Sequence, residues 1–162
     1  MHIITYFANT KNKKEIIMMI ESDTIKLLRE CDAGIKMGIS SIDDVLSKVK
    51  NKRLYSMLND CKKEHEGLER ETKKLLNRYD DSGKKPNPIA KGMSKIKTNM
   101  MLAMKRSDST ISDLMTDGCN MGVKSLSRYL NKYEAADEGS KDIAKRLISS
   151  EENLAVGMRG FL

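Results

Sequence analysis

The chain has 162 residues, 30 Lys and Arg against 23 Asp and Glu for a net charge of +7, and only 4% aromatic residues with no Trp. That length fits one domain with its own core, while the lack of any apolar run of about 18 residues excludes a membrane span. Three cysteines without paired spacing exclude a disulfide framework. Abundant Met (12), scarce Pro (2) and 33% charged residues predict an all-α protein.

The basic residues are interspersed, with local clusters at Lys11, Lys13 and Lys14, at Lys48, Lys50, Lys52 and Arg53, and at Lys84 and Lys85. Such clusters attract nucleic acid or anionic lipid, but no aromatic stacking platform or base-reading motif accompanies them. Solvated helix faces are therefore favoured, and nucleic acid is disfavoured as a partner. The run from Met1 to Ala8 is too short and lacks the basic start of a signal peptide, so a cytoplasmic location is expected.

Residues 1 to 11 are expected as a loose tail, and 12 to 162 as one helical bundle domain. Ile17, Ile20, Thr24, Leu27, Leu28, Cys31 and Ile35 recur at three- and four-residue spacing, which predicts an amphipathic helix over 12 to 38. Gly38 reads as its stop, and Ser41-Ile42-Asp43-Asp44 as the cap of the next helix. The second helix, expected over 42 to 80, carries Leu54, Cys61, Leu68 and Leu75 in one heptad column and Leu58, His65, Thr72 and Tyr79 in another.

Lys84-Lys85-Pro86-Asn87-Pro88 reads as an extended connector, since a residue before proline avoids helical geometry. A short helix over 89 to 105 follows, with Ile89, Met93, Ile96, Met100 and Met104 on one side, most simply core. Long helices over 110 to 135 and 141 to 160 complete the chain. The short helix spans about 25 Å at 1.5 Å per residue, enough to bring the chain back along the bundle. The third long helix then runs parallel to the second, beside and antiparallel to the first.

Two segments pair glycines four apart with a cysteine: Cys31, Gly34 and Gly38, then Gly118, Cys119 and Gly122. Glycine inside a helix costs about 1 kcal/mol relative to alanine, and close approach is the obvious compensation. Placed at similar heights, the two segments are expected to cross and leave a helix contact or ligand slot, with Asp117 and Asn120 at its rim. Cys61 and His65 share a face one turn apart and invite zinc. Rise per residue sets them too far from Cys31 for one site, so packing is the simpler role.

This order of helices resembles a ferritin-like up-down four-helix bundle with one crossover connection containing a short fifth helix. A second resemblance, to a group of small helical proteins from spore-forming Firmicutes with no established activity, is carried by particular stretches. These are Leu27-Leu28-Arg29-Glu30-Cys31-Asp32-Ala33-Gly34 with Lys36-Met37-Gly38, Glu64-His65, Lys85-Pro86-Asn87-Pro88, and Thr116-Asp117-Gly118-Cys119-Asn120-Met121-Gly122 with the following Lys124 to Asn131. The ferritin-like resemblance implies a di-iron ligand set of glutamates and Glu-x-x-His pairs, yet the chain has no Glu-x-x-His. Only a remnant of Glu64, His65 and Glu151 is available for Fe, Mn or Zn. The expected function is a non-catalytic structural or interaction protein without a cofactor, in a stress or sporulation setting by analogy with that group. A degenerate metal-binding protein and a nucleic-acid-coating protein are the alternatives, and a homo-oligomer is open.

Overall fold

A computed structural model describes residues 2–104 and 107–162, with side chains for 12–88, 91, 92, 95, 97–99, 101–103 and 107–162. The chain is helical throughout, with no strand among the described residues: α1 (His2–Leu46), α2 (Lys52–Asn77), α3 (Pro88–Met104), α4 (Asp108–Lys132) and α5 (Glu138–Met158), closed by a 3-10 turn at Arg159–Phe161. From His2 onward the backbone expected as a tail belongs to α1. The proposed apolar side of α3, at Ile89, Met93, Ile96, Met100 and Met104, lies outside the described side chains.

The first helix does not stop at Gly38. It continues two turns to Leu46, and Ser41 is inside it rather than capping α2. The apolar stripe explains this, because Ile42 and Val45 extend the three- and four-residue spacing of Ile35 and both are buried. The true cap of α2 is Asn51, whose side-chain oxygen accepts from Arg53 N at 2.9 Å and Leu54 N at 3.2 Å. Asp108, at the start of α4, takes the amides of Lys50 and Asn51, both at 2.9 Å, and so holds α4 against this turn.

Burial along α2 follows the heptads through Leu54, Leu58, Cys61, His65, Leu68 and Thr72, then moves to Leu76 instead of Leu75. A straight helix at 3.6 residues per turn drifts away from a 3.5 repeat, which accounts for the shift.

Apolar side chains gather in two layers. One contains Ile42, Leu54, Leu58, Cys61, Cys119 and Leu154; the other contains Cys31, Ile35, Leu68, Leu126, Ile143 and Leu147. The chain passes between layers from Ile35 to Ile42 in α1, Cys61 to Leu68 in α2, Cys119 to Leu126 in α4 and Leu147 to Leu154 in α5. Hence α1 and α5 run one way, and α2 and α4 the other. α1 and α5 each pack on both α2 and α4, and α1 also meets α5 across the centre.

At the far end, Thr24 Oγ1 accepts from Asp137 N at 2.8 Å and Asp23 accepts from Ala135 N at 3.2 Å. The α4–α5 turn thus ends level with residues 23 and 24. Residues 12 to 21 of α1 are exposed, including Ile17 and Ile20, which the periodicity had placed in the core. Among the described residues no helix lies opposite them, since α2 has ended at Asn77 and α5 begins only at Glu138. No helix among the described residues is long and apolar enough to cross a membrane.

Candidate functional site

Between the two apolar layers the four long helices contribute Gly38, His65, Gly122 and Glu151. A Cβ on Gly38 would stand 2.7 Å from His65 Cδ2, and one on Gly122 would stand 3.1 Å from the Glu151 carboxyl carbon. The glycines therefore open space for a buried imidazole and a carboxylate, and this is the gain that offsets their helix cost.

His65 Nδ1 donates to the Cys61 carbonyl oxygen at 2.9 Å and lies 3.6 Å from Cys61 Sγ. Its Nε2 faces Glu151 Oε1 at 3.4 Å. Burial by itself would lower the His65 pKa, but the bonds to Cys61 and Glu151 outweigh it and hold it up to about 10. The ring is an imidazolium at neutral pH, paired with the Glu151 carboxylate.

A second branch reaches the surface. Ser150 Oγ donates to Glu64 Oε2 at 2.6 Å and lies 3.6 Å from Cys61 Sγ. A hydroxyl has one proton, and Ser150 gives it to Glu64, so Cys61 supplies the proton in its own contact with Ser150. Two shallow grooves between α2 and α5 meet at Glu64 and Ser150. One, of about 210 Å³, is lined by Met57, Asp60, Cys61 and Asn153 as well. The other, of about 260 Å³, includes Gly67, Glu71 and Arg146, the last two ion-paired.

The slot expected between Cys31, Gly34, Gly38 and Asp117, Gly118, Cys119, Asn120, Gly122 is divided by the structure. Cys31 lies in one apolar layer and Cys119 in the other, beside Cys61. A Cβ on Gly34 would meet Leu147 of α5 at 3.8 Å, and one on Gly118 would meet nothing within 4 Å. Asp117 pairs with Lys97 of α3 at 3.0 Å, and Asn120 is exposed. The cause is the continued first helix: its extra two turns bring Gly38, not Cys31, level with His65, and Ile42 into the layer of Cys61 and Cys119. Burial, with help from Glu30 and Asp32, pushes the Cys31 thiol up to about 12. Burial first, then Glu151, raises that of Cys119.

Glu64, His65 and Glu151 do come to one level, but Glu64 is turned outward to Ser150 while His65 and Glu151 bind each other. Among the described residues no group of three His, Cys, Asp or Glu could hold a metal ion. Sequence spacing paired Cys61 with His65 and missed Ser150, whose only signal is its place one residue before Glu151. No protein-family model, curated protein or solved structure matches this chain.

Proposed function

We propose that this chain is a cytoplasmic structural or interaction protein of ferritin-like fold, non-catalytic, that works by association through the projecting end of α1. The alternating helix directions and the crossover through α3 support the fold. The association rests on one observation: Ile16, Ile17, Met18, Met19 and Ile20 are consecutive and exposed, with Met18 at 69%. Five successive helical residues turn through more than a full circle, so the projection is apolar all round at this level. Exposed apolar patches of a few hundred Å² mark interaction sites.

The partner is a second copy of the chain, paired antiparallel about an axis between Ile17 and Met18. Lys13, Lys14 and Glu15 precede the apolar run and Glu21 follows it, all exposed. Antiparallel pairing sets Ile17 against Met18, Ile16 against Met19 and Lys14 against Glu21, twice over. Parallel pairing would set the lysines against each other. Light scattering after size exclusion is expected to give a dimer that Ile17→Glu with Met18→Glu converts to a helical monomer. A wild-type monomer at concentrations up to about 100 µM, where even weak pairs associate, overturns the proposal.

A further inference from the structure

Of the three buried thiols, Cys61 is the most exposed, at 6% against 0% for Cys31 and 3% for Cys119, and it lines the α2–α5 cleft. Polar groups also stand on both of its sides. His65 Nδ1–H stands 3.6 Å from the sulfur on the core side, and Ser150 Oγ stands 3.6 Å away on the groove side, bonded onward to Glu64. A hydroxyl bonded onward to a carboxylate gives the thiol proton a path outward, and the His65 ring lies against the other side of the sulfur.

We propose that Cys61 is a reactive thiol site that takes a small, neutral or cationic aliphatic disulfide through this groove and forms a mixed disulfide with it. The sulfur proton passes to Ser150 Oγ as the Ser150 proton passes to Glu64 Oε2. The thiolate attacks one sulfur of the reagent, a Cys61–S bond forms, and the reagent's S–S bond breaks. The departing sulfur leaves with the bonding pair and takes the proton from Glu64. The sum is one thiol and one disulfide giving one mixed disulfide and one free thiol, with no further oxidant.

The preference for charge follows from the lining. Its two ionisable carboxylates are Asp60 and Glu64, and among its residues none is basic. Lys63 shares Asp60 at 3.5 Å from outside the groove. An anionic disulfide would meet Glu64 directly, while an ammonium-bearing one would be drawn to it. Glu151 and Cys119 do not line the groove.

The test is to expose the native chain at neutral pH to cystamine, a diamino disulfide, quench with acid and map adducts by peptide mass spectrometry. Cys61 is expected to carry the adduct, with Cys31 and Cys119 modified only in denaturant. Ser150→Ala, which preserves helix and volume, is expected to slow modification by about a hundredfold, the low side of what general acid–base catalysis supplies. A dicarboxylate disulfide, normalised to its rate with the denatured chain, is expected to react more slowly than cystamine. Native adducts at Cys31 or Cys119 equal to those at Cys61, no native adduct at all, or an unchanged rate in Ser150→Ala would each overturn the site. Because the wild-type map needs no variant, the outcome does not depend on any substitution folding.

Discussion

Gly38 and His65 meet so closely that a methyl group on the glycine would stand 2.7 Å from Cδ2 and 2.8 Å from Nε2 of the ring. The imidazole cannot give way without losing the Cys61 carbonyl or Glu151. Gly38→Ala is therefore expected to destabilise the fold by about 2 kcal/mol, overpacking outweighing the roughly 1 kcal/mol gained in helix propensity. Gly118→Ala, at a position where a Cβ meets nothing, is expected to gain about 0.5 to 1 kcal/mol. Urea unfolding of both variants checks the contrast, which reverses if Gly38→Ala is the more stable of the two.

The His65 pKa of about 10 lies above its ordinary value of 6.5, so the folded state binds this proton more tightly than the unfolded chain. Its stabilising contribution is complete below about pH 6.5 and drains away as pH climbs through 10. Replacing His65 by Gln breaks a buried pair and is expected to cost roughly 3 kcal/mol at pH 6. The gap between wild type and this variant should narrow steadily from pH 7 to 10.5. A constant gap across that window would contradict the imidazolium assignment.

Asp108 accepts two backbone amides from the turn before α2, and Asn51 caps that helix with two more bonds. Asp108→Ala is expected to cost about 1 to 3 kcal/mol, the range for a lost charged acceptor, and Asn51→Ala about 1 kcal/mol. The two share one turn, so the double variant should depart from additivity. Chemical denaturation of the three variants measures the coupling, and strict additivity would show the two caps to be independent.

Both ring nitrogens of His65 are engaged, and Glu64 faces Ser150. Fe(II), Mn(II) or Zn(II) in excess is expected to leave the Tm unchanged within about 1 °C, since a ligand stabilises only the state that binds it. A rise of several degrees that disappears in His65→Gln would restore the metal-binding alternative.

Much of the helix order was legible because amphipathic spacing is a local signal. The heptads of α2 named Leu54, Leu58, Cys61, His65, Leu68 and Thr72, all of which are buried. The starts of α3, α4 and α5 fell within three residues of Pro88, Asp108 and Glu138. Gly38 misled because glycine signals both a helix end and a close contact, and only a ring arriving from residue 65 distinguishes them. Ser41 was followed by two aspartates and so spelled a cap, while the stronger vote came from buried Ile42 and Val45. That one boundary displaced every height counted from it, and with it the partner assigned to Cys119. Ile17 and Ile20 fitted the stripe but lay past the end of α2, since periodicity reports a face and not what stands opposite.

The crossover begins and ends at anchors. Lys84 N donates to the buried Asp32 Oδ2 at 2.9 Å, beside Gly83, whose φ of 81° admits the tight approach to that carboxylate. At the other end, Asp108 grips the α1–α2 turn. The Asp108 bonds, with those from the α4–α5 turn to Asp23 and Thr24, tie the two helical hairpins together outside the stretch between them. A polypeptide nicked inside α3 should hold together as a complex of two fragments, which makes this stretch the natural place to split the molecule or to relocate its termini.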